Sequence, residues 1–274
     1  MNLTDAILLL IAAIMAGALN AIAGGGSFFS FPALIFVGIT PISANATSTV
    51  ALWPGIIASA IAYRGKFSWQ WRQLVLIGLV SMVGGVAGAL LLLRTSDQLF
   101  RQILPYLMLA ATLLFTFGKS LTNRVATYLA GRSKHIDRRD ITNHPVALAE
   151  QSNAGYGASW WALPLFLAIA VYGGFFGGGL GILLLASLTI LGMENINQMN
   201  AIKTLLNACI NGMAIAQFAI SNVVFWPQAA LMAIGAIVGG YLSAHYAQRL
   251  KAIWVRRFVI VVAFGLTGYF FVRG

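Results

Sequence analysis

The chain has 274 residues, of which 59% are apolar and 8% charged, with a net charge of +11 and a mean hydropathy of +0.85. Too little polar surface remains to clothe a soluble domain of this length, so the composition excludes a water-soluble globular fold and points to a polytopic membrane protein. The basic residues sit in short stretches between apolar runs, where the positive-inside rule puts them, so their excess gives no reason to expect nucleic acid.

Apolar segments at 5–23, 28–38, 42–62, 73–93, 100–117, 160–176, 181–191, 197–220, 227–247 and 254–272 predict an all-α bundle of transmembrane helices. The first basic residue is Arg64, so residues 1–23 lack the basic start of a cleavable signal peptide and are expected to stay as a membrane segment. Two of the segments, 28–38 and 181–191, are about half the length of a span, and each follows a glycine run: Gly24, Gly25, Gly26 with Ser27, and Gly177, Gly178, Gly179. Thr40 and Pro41 read as the start of the next helix, with Asn195 or Asn197 capping its equivalent. Residues 118–159 read as a cytoplasmic linker between two repeats, 1–117 and 160–274. Trp69, Trp71, Trp160, Trp161, Trp226 and Trp254 fall at segment ends as interfacial anchors. Trp53, beside Pro54 within a span, is expected to pack against a neighbouring helix. Two glycine sets, Gly78, Gly84, Gly85, Gly88 and Gly235, Gly239, Gly240, fit close helix contact.

The halves repeat. Asn45-Ala46-Thr47-Ser48-Thr49 matches Asn200-Ala201-Ile202-Lys203-Thr204, and Gly84-Gly85 matches Gly239-Gly240, both 155 residues apart; the glycine runs are 153 apart. Orientation follows from counting Lys and Arg. If every glycine-broken stretch were a full crossing, the better orientation would place only ten basic residues inside and six outside. If each broken stretch goes in and comes back, the second repeat is inverted, and thirteen of the seventeen gather inside: Arg64, Lys66, Arg72, the six of the central stretch, Arg249, Lys251, Arg256 and Arg257. The rule favours the second arrangement, two inverted repeats with a glycine-broken or re-entrant helix pair in each.

In lipid a broken helix survives only where protein or a water-filled cavity satisfies its backbone. Each half-helix that begins at a glycine run points its free amides and positive dipole end into the membrane, which suits an anion. Taking Gly38 and Gly192 as the membrane-surface ends of the half-helices, about 1.5 Å per residue puts the breaks roughly 18 Å deep, near the midplane. Asn200, Lys203, Thr204, Asn207 and Asn211 share one face of the following helix at that level, and Asn45, Ser48 and Thr49 repeat the pattern in the first half. A lysine within a span marks a function by default, and Lys203 is expected to be the fixed charge of the site. The acidic residues Asp5, Asp97, Asp137, Asp140, Glu150 and Glu194 all lie in loops or at segment ends. A carboxylate proton relay or metal site is therefore not expected. The single Cys209 excludes an internal disulfide and a multi-cysteine metal centre, and His135, His144 and His245 form no ligand spacing.

These residues resemble the TauE/SafE (TSUP) family of sulfite and organosulfonate exporters. The likeness is carried by Ala16-Gly17, by Ala23-Gly24-Gly25-Gly26 with Pro32 and by Asn45-Ala46-Thr47-Ser48. In the second half it lies in Tyr172-Gly173-Gly174-Phe175-Phe176-Gly177 and Asn200-Ala201-Ile202-Lys203. The resemblance implies a permease for sulfite, sulfoacetate, thiosulfate or another small, mostly sulfur-containing anion. The expectation is a multi-pass permease of the inner (plasma) membrane, not an enzyme, working by alternating access, with the lipid bilayer and a small anionic substrate as partners and homo-oligomerisation open. No cofactor, metal or nucleic acid is called for. The substrate-binding set is Gly24, Gly25, Gly26, Ser27, Asn45, Ser48, Thr49, Gly177, Gly178, Gly179, Asn200, Lys203, Thr204 and Asn207. Competing readings are an intramembrane enzyme acting on a lipid or acyl substrate, for which the spans offer no acid, base or nucleophile with an orienting partner, and a structural subunit, which leaves the matched breaks unexplained.

Overall fold

The computed structural model describes residues 1–23, 25–62, 71–133, 162–193, 195–246 and 252–273. Gly24, Glu194, the central stretch from residue 134, Trp69, Trp160, Trp161, Arg64, Lys66, Arg249 and Lys251 lie outside them. All regular structure among the described residues is helical: α1 (Leu3–Ala23), α2 (Ser27–Phe36), α3 (Pro41–Ala62), α4 (Trp71–Arg94), α5 (Asp97–Ser133), α6 (Ala162–Phe175), α7 (Leu180–Ile190), α8 (Ile196–Ile220), α9 (Trp226–Tyr246) and α10 (Ala252–Arg273). The apolar segments set these bounds to within a few residues. The largest departure is α5, which continues as helix past Gly118 to Ser133, into the stretch read as linker. Trp71 and Trp226 begin α4 and α9 and are exposed. So are Val83, Ile234 and Val261, the outward apolar surface that a bilayer-embedded bundle presents.

The half-helices end alike. Gly38 and Gly192 both adopt left-handed backbone, φ +87° and +85°. Beyond them the Ile39 amide donates to Leu34 O and the Met193 amide to Leu188 O, both at 3.1 Å. This six-to-one closure over a left-handed glycine satisfies carbonyls that the helix end would otherwise orphan. The next helices start differently. Asn195 caps α8, its side chain accepting from the amides of Asn197 and Gln198 at 3.0 and 3.3 Å. On α3, Asp97 Oδ1 accepts from the Ile42 amide at 3.4 Å, so a carboxylate from α5 sits at the positive end of that helix.

Packing is reciprocal between the halves. α1 packs on α9 and α6 on α4, and α3 on α9 is answered by α8 on α4. Because lipid tails are as apolar as leucine, such contacts depend on close approach through small residues. A Cβ on Gly17 would collide with the Ala236 carbonyl and one on Gly239 with the Ile14 carbonyl; on the answering pair, Gly88 meets the Val171 carbonyl and Gly174 the Gly85 carbonyl. Gly78 and Gly240 depart from the expectation: Gly78 has nothing within 4 Å and Gly240 only the Gly17 carbonyl at 3.7 Å.

Two contacts join residues to their own duplicates. Trp53 Nε1 donates to the carbonyl of Ala208 at 3.1 Å, and the Thr112 and Thr267 hydroxyls lie 3.3 Å apart. Both pairs are 155 residues apart, the register read from the sequence. Between them the core is sealed by edge-to-face aromatics such as Phe28–Phe115 and Phe31–Phe176, at 5.9 and 5.8 Å between ring centres.

Candidate functional site

The two breaks are built differently. Gly177 and Gly179 sit at φ +72° and +74°, a conformation that costs a side-chain-bearing residue roughly 1–2 kcal/mol and glycine almost nothing. Gly26 is right-handed, φ −59°, so the first half-helix starts without a left-handed residue. Neither α2 nor α7 has a side-chain N-cap. Among the described residues the amides of Gly179 and Gly181 have no backbone acceptor, and they are the donors that an anion at the start of α7 could take. The Tyr172 hydroxyl fixes this turn by donating to Gly178 O at 2.6 Å.

Both turns border one cavity of about 40 Å³, more than the roughly 10–15 Å³ that a single water needs. Ser27 opens it from α2, while Phe176, Gly177, Leu180 and Gly181 enclose it from the second break. Asn45, Ser48, Thr49, Leu52 and Ile56 line it from α3, Asn207 and Asn211 from α8, and Asn20 from α1. Its polar groups are held in place by one another and by backbone. Asn45 Nδ2 donates to the Phe175 carbonyl at 3.1 Å, tying α3 to the otherwise open end of α6. Thr49 Oγ1 donates to Asn45 O at 2.8 Å, and Ser48 shares a 2.6 Å hydrogen bond with Ser30. Asn211 Nδ2 donates to Asn207 Oδ1 at 2.5 Å, leaving the Asn207 amide hydrogens turned elsewhere. The lining is neutral and rich in amide and hydroxyl groups.

Of the residues expected at the site, Ser27, Asn45, Ser48, Thr49, Gly177 and Asn207 meet at this cavity. Gly25, Gly26, Gly178 and Gly179 shape the turns without lining it, and Gly24 lies outside the described residues. Asn200, Lys203 and Thr204 do not line it. Lys203 is half-buried, its Nζ donating to Asn200 Oδ1 at 3.0 Å, and Thr204 Oγ1 donates back to Asn200 O and Ala201 O, both at 2.9 Å. On α3 the lining runs from Asn45 to Ile56, whereas on α8 only Asn207 and Asn211 reach it, the counterparts of Leu52 and Ile56, so the counterparts of Asn45, Ser48 and Thr49 stay outside it. Asn20 was missed. It is a lone amide in the apolar run before the first glycines, which was the available signal. Trp53 does pack, over Gly212, where an added Cβ would stand 3.2 Å from its ring. It also borders an outer groove with Cys209. Among the described residues no group of His, Cys, Asp and Glu could hold a metal ion.

The family model described as "Sulfite exporter TauE/SafE" matches residues 9–270. A "Probable membrane transporter protein" of Haemophilus influenzae is 26% identical over 92% of this chain and 89% of its own length. "Probable membrane transporter protein ORF9" of a Sinorhizobium species is 24% identical over 94% and 89%, and "Probable membrane transporter protein YfcA" of Escherichia coli K12 is 26% identical over 92% and 84%. No solved structure matches the chain.

Proposed function

The chain belongs to the sulfite exporter TauE/SafE family, and for this membrane transporter we propose a small sulfur-containing anion, sulfite or an organosulfonate, as cargo, carried by alternating access around the two helix breaks. The observation that carries this reading is the convergence of the Ser27 and Gly177–Gly181 turns on one neutral, donor-lined cavity. A helix N-terminus presents the equivalent of about half a positive charge, and two of them facing one space offset the dehydration of an anion without a buried counter-charge. Purified protein in liposomes tests it. Radiolabelled sulfite should cross unchanged, and repeating the flux with proton and Na⁺ gradients identifies the driving ion. Chemical conversion of the substrate would make the protein an enzyme instead, and neither crossing nor conversion of sulfite or organosulfonates would remove the anion reading.

Lys203 acts on the anion from a turn above the cavity. At an effective dielectric of about 20 and a separation on the order of 10 Å, one unit charge attracts another by about 1.7 kcal/mol. Lys203→Gln, which keeps length and hydrogen bonding, should therefore raise the KM for sulfite by roughly tenfold while changing kcat little. Lys203→Arg keeps the charge but replaces a compact ammonium paired to Asn200 with a larger planar group, and should transport less well than the parent. Sulfite kinetics in the Gln variant equal to the parent's would mean that the lysine only snorkels.

The proposed setting is the inner membrane, with the repeats inverted, the N-terminus outside and the central stretch in the cytoplasm, the arrangement that gathers thirteen basic residues on one side. Reporter fusions before Leu3 and near Arg138 should report opposite faces. The same face for both would sink the inverted arrangement.

A further inference from the structure

Beside the central cavity lies a second one of about 400 Å³, between α1, α3 and α9, and the two share Asn20 and Leu52. Its outer part is lined by Gly55, Ser59, Gly240 and Tyr241. Along α3 it overlaps the central cavity at Leu52 and reaches further, to Ala58 and Ser59, in the chain direction of Arg64 and Lys66. Among the described residues the side chain of Asn20 has no hydrogen-bond partner, so an amide stands unengaged where the two spaces join.

The duplication identifies what stands on the other side. With the offsets of 153 for the first helix and 155 thereafter, Asn20, Gly55 and Gly240 correspond to Gly173, Ile210 and Gly85. There the space is closed. Ile210 is fully buried, a Cβ on Gly85 would stand 2.6 Å from its carbonyl oxygen, and one on Gly173 would stand 3.0 Å from its Cγ2. On the first side a Cβ on Gly55 would meet nothing within 4 Å. An independent asymmetry points the same way. Ala236 borders the open crevice; its counterpart Ser81 is fully buried in the closed face, and its hydroxyl finds no hydrogen-bond partner among the described residues. An unpartnered hydroxyl is costly to bury, and it is accounted for if that face opens to water at another stage of the cycle.

We propose that the α1/α3/α9 crevice is the conduit through which a small hydrated anion reaches the central cavity, that the Asn20 amide is the first group it meets at the junction, and that the α4/α6/α8 face, plugged by Ile210, is the equivalent conduit in its shut state. This rests on the transport reading and adds the route to it. In a transporter of two related halves one path is open while its counterpart is closed, and the cytoplasmic side proposed for Arg64 and Lys66 makes the open path the inward one.

Two variants test the route. Gly55→Ile copies the residue at the equivalent position into space with no neighbour, so folding should be kept. Sulfite flux should fall at least tenfold while equilibrium sulfite binding stays within twofold of the parent. In a Cys209→Ser background, which has no cysteine, Ser59→Cys should be modified in sealed vesicles by an anionic methanethiosulfonate reagent from the cytoplasmic side, without sulfite present, as read by mass spectrometry. Ala214→Cys, its counterpart, should remain unmodified. Parent-like flux in Gly55→Ile, equal labelling of the two cysteines, labelling of Ser59→Cys from the outside, or its reaction with lipophilic maleimide alone would each overturn the conduit. Failure of the parent to bind sulfite would instead overturn the choice of anion, with the labelling still deciding the route.

Discussion

Gly178→Leu should insert into the membrane at the parent's level and carry no measurable sulfite, and Gly25→Leu should do the same. A Cβ on Gly178 would stand 2.6 Å from the Phe176 ring and 3.2 Å from Ala111 Cβ. Phe176 cannot swing aside, because Phe31 and Tyr172 hold it edge-to-face at 5.8 and 6.5 Å. The turn itself must therefore move, carrying Gly177 and Gly181 away from their places in the cavity wall. At Gly25 the obstruction is the Phe115 ring, 2.9 Å from an added Cβ. Overpacking of this kind costs about 1–3 kcal/mol, which a helical bundle of this size survives but a site that depends on aimed amides does not. Flux in liposomes, normalised to inserted protein, is the measurement. Parent-like flux in both variants would reduce the breaks to packing points.

The second large effect is on stability. Gly88→Leu should leave little folded protein, because a Cβ there collides with the Val171 carbonyl and lies 2.7 Å from the Phe175 amide nitrogen. Backbone cannot yield as a side chain does, so α4 and α6 must separate, with a loss of more than roughly 3 kcal/mol. Gly78→Leu on the same helix projects into open space and should stay within about 0.5 kcal/mol of the parent. Thermal unfolding in detergent, followed by the loss of the monodisperse peak, separates the two. Equal melting temperatures would mean that α4 and α6 do not pack as closely as described.

Hydrophobic length carried most of the fold. The 181–191 run became Leu180–Ile190, and Asn195 capped the helix that its position announced. Length failed at α5, because a helix leaving the apolar layer continues on backbone hydrogen bonds that hydropathy does not register. The candidate cavity was legible along α3 but only in part along α8. Lys203 and Asn207 lie on one face at neighbouring levels, yet only Asn207 reaches the cavity, since α8 lines it only at the counterparts of Leu52 and Ile56 while α3 also lines it from Asn45. Ser48 and Lys203 hold equivalent positions in the sequence, but only Ser48 lines the cavity, and Asn20, with no polar counterpart at Gly173, had no echo to draw notice.

Trp53 on Ala208 and Thr112 on Thr267 lie where the duplicated halves meet their own copies. When two halves trade shapes, a point on the line between them is the only kind that need not travel. In the proposed alternating access these two contacts would be the fulcrum, one holding α3 to α8 and the other α5 to α10, while the flanking pairs α1 with α9 and α4 with α6 would swing as opposite arms of a balance. Under that proposal the pivot is made from the residues that rocking would leave still.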